Sequence, residues 1–200
     1  DYLSSKSYIA NMIWTSVFTK FHVSLLKIDP FMIEQAKKRV KAENDPDVPY
    51  VSSNDVIASS FFNLAQADSG FMPVSLRDQI ADYKSTDAGN LNGTVVYLKE
   101  DYASPSLIRK SMKTFRRAAV PETKLPGVWE RLRCRFAMST SWATICKQLN
   151  IAKCQHRLHL PYANPNEMPQ QVIVIFEPRD GELAALLITQ ERIDEKTIEE

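Results

Sequence analysis

Near its end the chain carries two apolar runs, Val172-Ile173-Val174-Ile175-Phe176 and Leu183-Ala184-Ala185-Leu186-Leu187-Ile188, on either side of Pro178-Arg179-Asp180-Gly181. Proline at the first corner of the turn and glycine where positive φ is needed predict a hairpin. Neither run alternates polar with apolar residues, so both faces of both strands must be covered. The fold class that follows is α/β, a mixed β-sheet flanked by helices and closed by a terminal hairpin.

Three segments offer the covering helices. Asp29-Pro30 is an N-cap followed by proline at the first helical position. The helix it starts runs to about Asn44, with Ile33, Ala36 and Val40 inward and a Glu34–Lys38 pair outward. The prolines of Asp45-Pro46-Asp47-Val48-Pro49 stop it, because proline pushes the preceding residue out of the helical region. Ser52, Ser53, Asn54 and Asp55 then form a second start signal, with Asp55 three positions after Ser52 as in a capping box. The negative charge in that first turn suits the helix dipole. Ile57, Phe61, Leu64 and Ala65 make one apolar stripe, and Ala58, Ser59 and Ser60 keep another side small. Ser104-Pro105 opens a third helix with Ile108, Met112, Phe115 and Ala119 on one side and Arg109, Lys110, Lys113, Arg116 and Arg117 on the other.

The remaining pattern is mostly strand. Residues 1–12 read as an irregular or helical lead-in. Val17, Thr19, Phe21, Val23 and Leu25 alternate with polar residues and predict a strand with those side chains buried. Further strands are expected at Phe71–Arg77, Thr94–Leu98, Cys134–Trp142 and Gln155–Leu160. Val128–Arg133 is expected to add a short helical turn. Tyr162–Pro169 reads as a loop and Gln190–Glu200 as an acidic helix.

Composition narrows function mainly by exclusion. The 200 residues are 44% apolar and 24% charged, which fits one globular domain, residues 1–200, or half of a larger protein. A net charge of +1 predicts neither nucleic-acid nor membrane binding. No apolar run approaches the roughly 18 residues that would span a bilayer. No signal peptide is visible, and the chain opens on Asp1 rather than Met, so a partial sequence is expected. Cys134, Cys146 and Cys154 are odd in number with no CxxC, which reads as reduced thiols and a cytoplasmic location.

Three histidines are the first candidates for chemistry. His156 and His159 fall three apart in an expected strand, on opposite faces, and His22 lies on a polar face, so no metal site is expected. HExxH, GxSxG, Walker and dinucleotide-binding motifs are absent, and five glycines leave no material for a phosphate-cradling loop.

Taken together, the Ser53-Asn54-Asp55 helix start, a strand leading to Ser75-Leu76-Arg77, Gly89-Asn90 before the next strand, and Thr140-Ser141-Trp142 form an ordered set. That set resembles the C-terminal half of CoA-dependent acyltransferases of the chloramphenicol-acetyltransferase-like fold, with the plant BAHD enzymes as the nearest branch. The resemblance implies transfer of an acyl group from a CoA thioester to an alcohol or amine on a small-molecule acceptor. Acyl-CoA would be a co-substrate, with no permanently bound cofactor. It implies that Thr140, Ser141 and Trp142 border the substrate tunnel, with Trp142 as tunnel wall or simply as core. Ser53, Asn54, Asp55, Arg77 and Asn90 would be structural, Arg77 and Asn90 as a polar network under the sheet. The basic face has three readings: a solvated helix face, a site in which Lys113, Arg116 and Arg117 meet the phosphates of CoA, or a nucleic-acid surface. The last is disfavoured by the absence of interleaved aromatics.

Two departures bear on activity. The family's catalytic base sits in a His-x-x-x-Asp motif of its N-terminal half. Here Leu26, Leu160 and Ala163 stand four residues after the histidines. The Asp-Phe-Gly-Trp-Gly segment expected after the Thr-Ser-Trp strand is also missing. The chain is therefore expected to lack catalytic residues of its own and to need an N-terminal partner half. The alternative is a non-catalytic binding or scaffold domain that keeps the fold.

Overall fold

A computed structural model describes residues 5–79, 83–84, 86–89, 91–118, 125–143, 157–162, 164 and 170–193. The elements, in chain order, are α1 (Lys6–Phe18), β1 (His22–Lys27), α2 (Pro30–Ala42), α3 (Ser53–Leu64), β2 (Ser69–Ser75), β3 (Asn92–Tyr97), α4 (Pro105–Thr114), α5 (Val128–Arg131), β4 (Phe136–Ser141), β5 (Gln171–Phe176) and β6 (Ala184–Thr189). The strands form one six-stranded sheet in the order β1-β6-β5-β4-β2-β3. The pairs β4–β5 and β4–β2 are parallel and the other three antiparallel, so the sheet is mixed as expected.

The hairpin is the centre of the molecule. Every residue of β5 and β6 is buried, which is why both runs are apolar throughout. Gly181 takes φ +74 at the turn, a conformation that a side chain disfavours. On one face Ile173, Ile175, Ala185 and Leu187 pack with α2, α3 and α4 in the main core. On the other, Val172, Val174, Phe176, Leu186 and Ile188 form a second cluster with Phe21, Met138 and Trp142.

The helix starts follow the sequence closely. The Asp29 carboxylate accepts from Phe31 N at 2.8 Å. In α3 the Ser52 hydroxyl accepts from Asp55 N at 3.2 Å while Asp55 Oδ2 accepts from Ser52 N at 2.7 Å, a complete capping box. Such a cap is worth about 1 kcal/mol. Val56, Ile57, Ala58, Phe61 and Phe62 of α3 are buried, but Leu64 is exposed because it lies past the edge of the helix's packed side. In α2, Glu34 pairs with Lys37 at 2.7 Å instead of with Lys38, since Lys37 lies closer on the next turn. In α4 the N-cap Ser104 makes no side-chain capping hydrogen bond, and Phe115 ends the helix in the left-handed region.

The N-terminal region departs from the sequence reading. The expected strand from Val17 begins only at His22, and Val17 is the penultimate residue of α1, 67% exposed. Within β1 the expected orientation is reversed. Leu26 is buried while Val23 and Leu25 are about half exposed, because β1 is an outer strand whose second face lies open. Helix α1 is turned inside out as well. Its two buried residues are polar, Ser7 and Asn11. Asn11 Nδ2 donates to the carbonyls of Leu132 and Cys134, which are left without strand partners just before β4. Tyr8 lays its ring edge-on to Phe71 and Phe136. Ile9, Ile13, Trp14, Val17 and Phe18 face solvent.

Towards the C-terminus, residues 157–160 are irregular rather than part of the expected strand, and residues 190–193 are not helical. Ala119, Asn90, Cys146, Cys154, Gln155, His156, Ala163 and residues 165–169 and 194–200 lie outside the described residues.

Candidate functional site

The site is built around β4. Alternation along this strand sends Ala137, Ser139 and Ser141 toward α3 and sends Phe136, Met138 and Thr140 to the opposite face. Thr140 and Ser141 are both half-buried. Trp142 N donates to the Ile175 carbonyl at 2.7 Å, and its ring rests on the second apolar cluster. The indole thus closes off that cluster while keeping one edge toward solvent.

Pairing on the β2 side of β4 is short. It runs Ser69↔Phe136, Gly70↔Ala137 and Phe71↔Met138 and then stops, although β2 continues to Ser75 and β4 to Ser141. Pro73 gives the physical reason. It has no N–H to offer and pairs with Thr94 of β3, so its donor-less side falls where β4 has departed. Beyond Phe71, then, the two strands present unpaired edges to each other.

Polar groups border this parting on the α3 side. Ser139 is fully buried and its hydroxyl has no hydrogen-bond partner among the described residues; the same holds for Asn54 Oδ1. Asn54 sits in the first turn of α3, with its Nδ2 3.6 Å from the sulfur of Met72, the β2 residue that follows the last pair with β4. Buried polar atoms left unpaired cost free energy, on the order of 1–3 kcal/mol each. Ser53, whose neighbour Ser52 caps the helix, is half-buried.

Helix α4 ends at Thr114, where Phe115 turns left-handed, so Arg116 and Arg117 follow the helix instead of extending its basic face as expected. Most of these cations are answered by carboxylates or carbonyls from other parts of the chain. Arg109 meets the buried Asp55 carboxylate at 2.5 and 2.7 Å and lies 4.8 Å above the Tyr50 ring. Lys110 meets Asp45 at 2.7 Å, an ion pair that holds the Asp45 carboxyl below its ordinary range and raises Lys110. Arg117 meets Asp101, itself buried, at 2.6 Å. Lys113 donates to the Asp47 carbonyl. Arg116 is exposed and Lys113 keeps an exposed ammonium, so these two direct charge outward. Beneath them Tyr97 shares a hydrogen bond of 2.7 Å with Ser111, and burial raises the Tyr97 hydroxyl far above its ordinary value.

Helix α4 packs on α3, on the face of the sheet opposite Thr140 and Trp142. The two groups of residues that the sequence singled out therefore flank the sheet from opposite sides, with the β2–β4 parting between them. Arg77 has a structural setting: it donates to the carbonyls of Asp87 and Gly89 and so ties the loop between β2 and β3. Asn90, its expected companion, is outside the described residues.

No group of three or more His, Cys, Asp or Glu that could hold a metal is present among the described residues. His22 is exposed at the start of β1, and the His159 ring lies 6.5 Å from Phe176 at the end of β5. Neither Ser139 nor Asn54's unpaired oxygen was legible as a site feature in the sequence. Their signal is the absence of a partner, which only the fold reveals.

The mixed six-stranded sheet with helices on both faces has the chloramphenicol-acetyltransferase-like fold. TRI101 of F. sporotrichioides, solved with coenzyme A and T-2, is similar over 90% of this chain with a TM-score of 0.59 at 14% identity. TRI101 of F. graminearum, solved with ethyl coenzyme A, is similar over 90% with a TM-score of 0.54 at 13% identity. Vinorine synthase is similar over 96% with a TM-score of 0.51 at 13% identity. The chain spans about half the length of these structures, 50%, 49% and 56% respectively. No family model and no curated protein matches the sequence. Among the described residues no helix is long and apolar enough to cross a membrane.

Proposed function

We propose that this chain is the C-terminal half of an acyltransferase that moves an acyl group from a CoA thioester to an alcohol or amine on a small-molecule acceptor. The observation that carries the reading is the parting of β2 from β4 beside Ser139 and Thr140, in a sheet of the acyltransferase fold. Unpaired strand edges and an unanswered hydroxyl suit an extended, amide-bearing arm such as that of acyl-CoA. In this role Thr140, Ser141 and Trp142 line the passage, with Trp142 as its flat apolar wall. Lys113 and Arg116 meet the phosphates of the nucleotide end, and Arg117 supports them from its bridge to Asp101. The base that deprotonates the acceptor comes from a companion half, since the sequence has no His-x-x-x-Asp motif.

The test is calorimetric titration of coenzyme A into the purified chain, beside a Lys113→Ala/Arg116→Ala variant. Saturable binding that weakens at least tenfold in the variant supports the reading. Binding by both proteins with equal affinity removes α4 from the donor site. A second reading, a binding or scaffold domain that keeps the fold without the reaction, is favoured by one observation: the cations of α4 and Arg117 just after it are engaged by the chain's own acids or carbonyls. It predicts no response to coenzyme A even when the companion half is supplied.

A further inference from the structure

On the α3 side of the sheet, where β2 and β4 part, two polar side-chain atoms stay unanswered. Ser139 is 0% exposed, and neither its hydroxyl nor Asn54 Oδ1 has a hydrogen-bond partner among the described residues. Both border the first step at which the strands no longer pair. The last pair is Phe71↔Met138, and Ser139 is the next residue of β4. Met72, the next residue of β2, has its sulfur 3.6 Å from Asn54 Nδ2. The surroundings are apolar. Ile173 stands opposite Ser139 on β5, and Ala137, Met72, Val56 and Ile57 belong to the main core. A hydroxyl and a carbonyl oxygen are costly there unless something polar reaches them. Neither atom serves the α3 cap, which Ser52 and Asp55 complete between themselves.

We infer that these two atoms recognise a hydroxyl on the acyl group, so that the donor is a hydroxyacyl thioester and not a plain alkanoyl or dicarboxylic one. The inference deepens the acyltransferase reading and rests on it. Its chemistry follows from what each atom lacks. Asn54 Oδ1 can only accept, so the ligand must bring a proton, while Ser139 can donate to the same ligand oxygen. One alcohol does both. A methylene does neither and leaves both oxygens unanswered. A carboxylate has no proton to give at neutral pH and sets its charge against Asn54 Oδ1. The amide-bearing arm of acyl-CoA is met by the unpaired strand edges, in the plane of the sheet. Ser139 and Asn54 stand off that plane, toward α3, where the tail beyond the thioester ends. Met72 is the side chain that gives way to it, an unbranched thioether that changes rotamer at small cost.

The test titrates the isotope-labelled chain with the β-hydroxybutyryl, butyryl and succinyl thioesters of N-acetylcysteamine, followed by amide chemical shifts. These thioesters carry no nucleotide, so the result does not depend on α4. The β-hydroxybutyryl thioester should bind about tenfold more tightly than the other two and shift the Asn54 side-chain amide and the Ser139 backbone amide. Ser139→Ala and Asn54→Ala should each lower its affinity to that of the butyryl thioester. The urea midpoint of Ser139→Ala should stay level or rise, because an unanswered hydroxyl has been removed. Equal affinity for the three thioesters, binding of none, or a preference that survives both variants overturns the inference. A lowered midpoint in Ser139→Ala with equal affinities assigns the pair to an enclosed water and likewise overturns it. Coenzyme A titration separates the two readings. A hydroxyacyl preference in a chain that binds no coenzyme A, even with a companion half supplied, sinks the acyltransferase reading and leaves the hydroxyl site standing. Coenzyme A binding without that preference removes only the present inference.

Discussion

Asp55 does two jobs at once, and separating them is the sharpest test of the physics beneath the site. Its Oδ2 accepts from Ser52 N at 2.7 Å to complete the α3 cap, and the same oxygen meets Arg109 at 2.5 Å. The carboxylate is 2% exposed and the guanidinium 18%. Asp55→Ala removes both functions. The lost cap costs about 1 kcal/mol. Removing one partner of a buried ion pair costs about 3–5 kcal/mol because a charge is left behind. Residual exposure of Arg109 and its contact with Tyr50 soften this to roughly 2–4 kcal/mol. The sum is a loss of roughly 3–5 kcal/mol, a large share of an ordinary domain's stability of about 5–15 kcal/mol. Asp55→Asn keeps an acceptor for Ser52 N and removes only the charge, so it should lose roughly 2–4 kcal/mol, while Ser52→Ala should lose about 1 kcal/mol. Urea unfolding at pH 7, followed by circular dichroism with the m-value checked for constancy, measures all three. A double-mutant cycle with Arg109→Met isolates the pair. If Asp55→Asn proves as stable as wild type within about 0.5 kcal/mol, the range of an ordinary surface substitution, the ion pair does not fasten α4 to α3 and the argument fails.

Three further outcomes are expected. Gly70→Ala would put a Cβ 3.0 Å from the buried Phe62 ring, so a loss of about 1–3 kcal/mol in the same urea assay is expected. Burial pushes the Cys134 thiol up to about 11, so in a Cys146→Ser/Cys154→Ser background iodoacetamide should react slowly at pH 8 and speed up only as pH approaches 11. The same raised value means that the folded state holds a proton the unfolded chain releases. Stability from this group is therefore full below pH 9 and falls as pH climbs from 9 to 11, visible as a urea midpoint whose decline begins near pH 9 and, in Cys134→Ser, is delayed until the buried Tyr97 and Tyr102 begin to respond above pH 10. Trp142→Ala should destabilise by about 2–4 kcal/mol through lost packing on the second cluster; Trp142→Phe should recover most of that loss, and a full recovery of stability with coenzyme A affinity still lowered would separate a wall from mere filling.

What the sequence displayed was local chemistry. The Asp29-Pro30 and Ser52-to-Asp55 starts, the Pro178–Gly181 turn and the continuous apolar runs of β5 and β6 each act within a few residues, and each appears where expected. What it hid depends on partners far along the chain. The cations of α4 form a stripe in the sequence, but Asp45, Asp55 and Asp101 come from three separate segments, and no spacing rule joins them. The region from Val17 to Leu25 misled for another reason. Pattern reading assumes that apolar means inward, and α1 and β1 present their apolar residues outward. Thr140, Ser141 and Trp142 were visible as residue types, yet the parting of β2 from β4 that gives them a setting depends on where pairing ends.

The neighbour of β1 in the sheet has a consequence for the order of events during synthesis. His22 pairs with Thr189 and Val23 with Ile188, so the first of the described strands hydrogen-bonds to the last of them. At about 5–20 residues per second, a ribosome needs on the order of 10–30 s to make the intervening chain. Through that interval Val23, Leu25 and Leu26 have no sheet to join, while the α3 cap and the β2–β3 pair can already form. Residues 22–27 therefore stay an unpaired apolar strand, beside the exposed side of α1, until residues 184–189 have been made.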